Sequence, residues 1–293
     1  MIFVDRTTVA VPAVLTTVGG TGLDEKKRAI ANFQPGGPAA EFTFKAYTHD
    51  SVRDALTILF KKKCAYCEST FVHTSFKNIE HFRPKSKIAE GVPLKPGYYW
   101  LGSDWDNLLL SCTLCNSQQT HAIHGSLAVE SLGKMNQFPL HNFSHIRDHR
   151  IGISSEEPRR LLIDPCKDNP EQFLSYGNDG NILPRAQRGF RRLKGEKSIK
   201  VYALQRMDLV EERKKVRVAI ERQQQNVIDY TLYFLRFVES DPVLAATFEV
   251  KADEHMEILK EFMDPKSPYS GMAKEMIRSF VAYQQSLLAP KVV

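Results

Sequence analysis

Cys64-Ala65-Tyr66-Cys67 and, 44 residues further on, Cys112-Thr113-Leu114-Cys115 enclose the stretch that decides how this sequence reads. Between them lie Ile79-Glu80-His81-Phe82-Arg83-Pro84-Lys85-Ser86 and Trp105-Asp106-Asn107-Leu108-Leu109-Leu110, and Asn116 follows the last cysteine at once. A two-residue spacing lets both sulfurs of a pair converge on one ion, so two pairs suit four tetrahedral Zn–S bonds. Four thiolates leave no open coordination position, which makes this zinc structural and not catalytic. The competing reading is two unrelated pairs of buried thiols. A thioredoxin-like redox pair fits less well, because no strand–helix frame surrounds either motif. Cys166 is left over in a loop, a bystander.

Outside this stretch the sequence excludes more than it specifies. Its 293 residues suffice for one large domain or two ordinary ones, and 42% hydrophobic with 25% charged content is that of a soluble globular protein. Met1 to Arg6 show no basic segment ahead of an apolar run, so no secretory signal is expected. The most apolar stretch, Val227 to Val238, contains Asp229 and Arg236 and is far short of a membrane span. Five cysteines, four of them spaced for metal, point to a reducing, cytoplasmic compartment and to no membrane partner. Forty Lys+Arg against thirty-four Asp+Glu give +6, compatible with a polyanionic partner without demonstrating one.

The pattern along the chain predicts an α+β fold in four segments. Residues 1–48 read as an irregular arm with one short helix from Leu23 to Asn32. Residues 49–150 form the site-bearing module, which holds eight of the nine histidines. It opens with a helix capped by Asp50 or Ser51 and running through Lys63. Residues 151–189 are a connector, and 190–293 are helical, over Leu193–Phe237, His255–Met263 and Met272–Leu287. Gly19-Gly20-Thr21-Gly22 lacks the Gly-Lys-Ser/Thr of a phosphate loop. The run Arg185, Arg188, Arg191, Arg192, Lys194, Lys197, Lys200 fits nucleic-acid binding and the polar face of an amphipathic helix equally well.

From Cys64 to Asn116 the sequence resembles the zinc-knuckle branch of the HNH (ββα-metal) nuclease family. The likeness rests on Cys-x-x-Cys, Glu80-His81, Pro84-Lys85-Ser86, Asn107-Leu108 and Cys-x-x-Cys-Asn, with a nine-residue step from Asn107 to Asn116 that fits the family's spacing. It implies a zinc-clamped ββα core with His81 as general base, Asn107 bracing the loop, and Glu80 with Asn116 binding a catalytic Mg2+ or Mn2+. The family's last motif position is often His, and Asp often stands where Glu80 does. The usual short helix ends in a Lys-Gly-Asn-like turn; here Lys134-Met135-Asn136 is that turn, displaced along the chain.

The likeness continues over roughly residues 45 to 285. Leu161-Leu162-Ile163-Asp164-Pro165, Asn178-Asp179-Gly180 and Ser267-Pro268-Tyr269-Ser270-Gly271-Met272-Ala273 resemble the HNH subunit of Septu-type antiphage defence, found also with some retrons. This implies an ATPase partner that docks on the C-terminal helices and restrains a nuclease acting on DNA or RNA, tRNA included.

A near-neutral histidine suits activation of an attacking water, and a hard divalent ion held by a carboxylate and an amide oxygen suits the phosphoryl and leaving oxygens. On a strand, Glu80 and His81 would point to opposite sides, so a turn at the strand end is expected to bring both to one phosphate. Arg83, Lys85 and Lys87 are candidate phosphate ligands, their alternative being a solvated turn. His121, expected on the same helix as Asn116 but about 140° around it, is either a substrate contact or a solvated side chain. His124 stands behind it as an alternative metal ligand. The competing functional class is a zinc-stabilised, non-catalytic protein that binds nucleic acid or serves as an ATPase-binding scaffold.

Overall fold

A computed structural model describes residues 1–90 and 95–288; the last five residues of the expected helical region lie outside them. The fold is α+β, as expected: eight α-helices and three two-stranded antiparallel sheets among the described residues. Helices α1 (Ala13–Thr16) and α2 (Thr21–Phe33) precede α3 (Asp50–Leu59). Strand β1 (Asn78–His81) pairs with β2 (Leu108–Ser111) in the register Glu80↔Leu109 and His81↔Leu108. The four-residue α4 (Thr113–Asn116) follows, then a hairpin of β3 (Gln119–Ala122) and β4 (Val129–Leu132). A small hairpin, β5 (Leu174–Tyr176) with β6 (Ile182–Pro184), leads into α5 (Gly189–Val201), α6 (Met207–Phe237), α7 (Pro242–Met263) and α8 (Ser270–Leu288).

Helix α3 buries Val52, Ala55, Leu56 and Leu59 on one face. Its cap is His49, whose Nδ1 accepts from the Ser51 backbone N–H at 3.2 Å; the sequence pointed to Asp50 or Ser51, one residue too late. It ends at Leu59, not Lys63, because Lys61 and Lys62 take positive φ values of 53° and 63°. That left-handed pair turns the chain so that Cys64 points inward. Strand β2 is an unbroken buried apolar run, Leu108-Leu109-Leu110, and so sits at the centre of the core.

The main core runs through every segment of the chain. It joins Met1, Leu15 and Ala29 to the four knuckle cysteines, to Tyr202 and Leu209, and to Tyr269 and Met272. The N-terminal residues are therefore packed. Buried Glu25 on α2 accepts from the backbone N–H groups of Lys45 (2.5 Å) and Ala46 (3.1 Å), which fixes the segment carrying Tyr47. The expected continuous helix from Leu193 to Phe237 is broken at Tyr202–Arg206, where Ala203 has φ +50°. A second core of Ile220, Val227, Leu259, Ala273 and Ile277 closes α6, α7 and α8 on one another. Aromatic rings line the α6–α7 seam: Tyr230 stacks on His255 at 5.4 Å, and Tyr233 and Phe237 contact Phe248. No described helix is long and apolar enough to cross a membrane.

Candidate zinc clamp and active-site cleft

The two Cys-x-x-Cys turns meet. Cys64 and Cys67 come from the turn after α3, Cys112 and Cys115 from the end of β2 and α4, and all four are buried with sulfurs within 4.8 Å of one another. The Cys67 and Cys112 sulfurs lie 3.8 Å apart. A tetrahedron with Zn–S bonds of about 2.3 Å has edges of about 3.8 Å, so the cluster fits a structural zinc. Arg206, buried at the start of α6, places Nη1 3.5 Å from the Cys115 sulfur, a cation beside a tetrathiolate. Tyr66, inside the first turn, stacks on Tyr202 at 3.8 Å. The C-terminal helices are thus bound into the clamp.

Clamping the C-terminal end of β2 to the turn after α3 goes with a cleft of about 490 Å³ that gathers the polar candidates. Glu80, His81, Lys85 and Asn116 line it, with Tyr47 and Asn136. His81 is the last residue of β1, so the chain turns immediately after it, as the chemistry required. Asn107 holds that turn: its Oδ1 accepts from the Arg83 N–H (2.8 Å), and its Nδ2 donates to the carbonyls of Arg83 (3.0 Å) and Leu101 (3.1 Å).

The His81 tautomer follows from its neighbours. Nε2 is 2.9 Å from the Gly102 carbonyl, which only accepts, and Nδ1 is 3.3 Å from the Lys85 ammonium, which only donates. Nε2 therefore carries the proton and Nδ1 offers its lone pair. Burial and the Lys85 charge hold the imidazole well below its ordinary pKa, so it stays neutral. Tyr47 packs edge-on against the ring at 4.5 Å.

Glu80 is buried, and burial pushes its carboxyl up against the opposing pull of Lys134. The Lys134 ammonium, itself fully buried, is 2.6 Å from Glu80 Oε1 and donates to the His81 carbonyl at 2.9 Å. Sequence reasoning placed Lys134 in the displaced turn but gave it no role in the site. The turn returns to the motif because Met135 N–H donates to the Asn116 carbonyl (2.6 Å) and Lys134 N–H to that of Cys115 (2.9 Å). Gly133 permits this approach: at φ +142°, a Cβ there would stand 2.1 Å from the Ser117 carbonyl oxygen.

Three candidates do not present their side chains to the cleft. Arg83 turns away from the cleft, buried against Glu156 and Glu157 and lying over the Phe138 ring at 4.4 Å, so its guanidinium is not free for phosphate. Arg83→Met is expected to leave fully buried Glu156 without its partner and to cost about 3–5 kcal/mol in urea unfolding; an unchanged midpoint would contradict this structural role. His121 lies on strand β3, not on a helix shared with Asn116, because α4 stops at Asn116. It is buried beside Arg206 and does not line the cleft. His124 is also outside the cleft, paired with Asp179 at 2.7 Å. In the basic run, Lys194 is buried and ion-paired with Asp168, whereas Arg188, Arg191, Lys197 and Lys200 are exposed.

An antiparallel strand pair running into a short helix, with four cysteines gathered beside it, presents Glu80, His81 and Asn116 to one cleft, the arrangement that the HNH resemblance implies. No family model matches the chain. Over 289 residues it is 36% identical to Septu protein PtuB of Bacillus mycoides (strain KBAB4), spanning 95% of this chain and 91% of that protein. Over 161 residues it is 29% identical to Septu protein PtuA of the same strain, covering 54% of this chain and 19% of that one. The chain belongs to the family of Septu protein PtuB.

Proposed function

We propose that this protein is a metal-dependent HNH endonuclease that hydrolyses phosphodiester bonds of DNA or RNA, as the effector of a Septu-type antiphage defence system with an ATPase partner. The observation that carries the reading is His81 itself, lining the cleft that Glu80 and Asn116 share, with Nε2 held by the Gly102 carbonyl and Nδ1 left as an acceptor beside Lys85. In this reading a water on the cleft side gives its proton to Nδ1 as its oxygen attacks phosphorus, and the bond from phosphorus to the leaving oxygen breaks, that oxygen taking a proton from solvent. Lys85 lies on the Tyr47 ring at 4.4 Å and forms no ion pair among the described residues, so it moves from Nδ1 to the incoming phosphate. Asn107 keeps the base in place throughout.

Glu80 and Asn116 suit a hard cation, being one carboxylate and one amide oxygen that line the same cleft. Mg2+ or Mn2+ bound there supplies charge neutralisation at the phosphoryl and leaving oxygens. The Lys134 contact favours the competing, non-catalytic reading to one extent: it already neutralises Glu80. Metal activation separates the two. Glu80→Ala and Asn116→Ala are each expected to move the Mg2+ or Mn2+ activation curve of cleavage to concentrations at least about tenfold higher. Unchanged curves in both variants would remove these residues from the metal.

The ATPase reading rests on the far half of the α6–α7 hairpin, where Leu232, Leu235, Val243 and Val250 are exposed away from both cores. Removing the helices would be a poor test, since Tyr202, Arg206 and Tyr269 pack against the clamp region. Leu235→Glu with Val243→Glu should instead abolish co-elution with the ATPase while zinc content and helicity stay parental. Intact co-elution would move the docking face elsewhere.

A further inference from the structure

Beside the cleft that holds Glu80, His81 and Asn116 lies a second one of the same volume, about 490 Å³. Both are lined by Gln118, Met135 and Asn136, so the two are halves of one groove that join along the displaced turn. Their chemistry differs. The second half is lined by the carboxamides of Gln118, Asn136 and Gln137, the Ser131 hydroxyl and the Glu90 carboxylate, with Lys87 as its one cation among the described residues.

A path built for phosphates would be cationic. Carboxamides and carboxylates instead match base edges: Asn or Gln pairs with adenine, and Glu or Asp accepts from the cytosine amine. The amides are held in place, since Gln118 Nε2 donates to Ser131 Oγ (3.0 Å) and Gln137 Nε2 to the Gly133 carbonyl (2.7 Å). Met135, 45% exposed, stands at the junction and offers a polarisable thioether to a ring face.

We propose that this second half is a nucleobase subsite. It takes one base, unstacked from its neighbours, of a nucleotide next to the scissile phosphate, and favours adenine or cytosine over uracil or thymine. The proposal rests on the nuclease reading above. A base paired in a duplex cannot enter without being splayed out, so single-stranded or looped substrates are preferred.

The test uses the full-length protein and its Gln137→Ala variant, because Gln137 lines the second half alone. Cleavage of single-stranded oligonucleotides varied at one position is compared with hydrolysis of bis(4-nitrophenyl) phosphate, which has no base. In parallel, AMP, CMP, UMP and ribose 5-phosphate are titrated by NMR. The variant's loss of kcat/KM on oligonucleotides should exceed any loss on the small diester by about tenfold. AMP and CMP should bind the parent about tenfold more tightly than ribose 5-phosphate, a preference that Gln137→Ala flattens. Equal losses on both substrates, or equal affinities for all four ligands, would overturn the subsite. A parent that discriminates the nucleotides but cuts nothing would overturn the nuclease reading and leave the subsite standing.

Discussion

Cys112→Ala is expected to yield no soluble, folded protein, whereas the parent should carry one zinc per chain by elemental analysis. The four cysteines belong to the main core, so the loss is not local. A structural zinc contributes on the order of 10 kcal/mol to folding, comparable to the whole stability of an ordinary domain. The clamp also anchors distant segments: Arg206 sits on Cys115, Tyr202 on Tyr66, and the Ser69 hydroxyl is 3.1 Å from that of Tyr269. Loosening the clamp therefore frees the start of α6 and the approach to α8 as well as the cleft. A Cys112→Ala protein that purifies folded with a parental melting temperature would refute the structural role.

His81→Ala should lower cleavage by at least ~10²-fold, the usual scale for losing a general base. The four cysteines lie beyond the opposite end of β2, so bound zinc should be retained in full. Truncation leaves the Gly102 carbonyl and the Lys85 ammonium without their imidazole partner, a stability cost of about 1–3 kcal/mol that the clamp should tolerate. Zinc content and thermal melting measured on the same preparation distinguish lost chemistry from lost fold. Parental cutting by a folded, zinc-loaded variant would remove His81 from the reaction.

How far the sequence could be read depended on how local each signal was. The cysteine spacing is a short-range rule, and the four sulfurs meet as it requires. The apolar periods behind α3, α6 and α8 were also visible, whereas of α7 only the part from His255 was read and its first half, from Pro242, was not. Arg83 was misread because a charge in a Pro-Lys-Ser turn looks solvated, while its partner Glu156 lies 73 residues away. Lys134 was missed for the same reason: its acceptor, the His81 carbonyl, is 53 residues distant. His121 was misplaced by extending a helical period beyond Asn116, where Ser117 leaves the helix and a hairpin begins. Among the first 48 residues the helix at α2 was readable, but the role of Glu25 on it was not, since it acts through the backbone N–H groups of Lys45 and Ala46.

One cleavage assay decides whether the cleft between β1 and α4 is a metal-dependent nuclease site. The purified protein, with and without its ATPase partner and with its zinc content verified, is incubated with duplex DNA, single-stranded DNA and tRNA, with Mg2+ or Mn2+ added or withheld. At least one substrate should be cut only when the divalent ion is present, and His81→Ala should abolish this cutting. No cleavage of any substrate with the partner present, or cleavage that is indifferent both to the added ion and to His81, would contradict a nuclease site there.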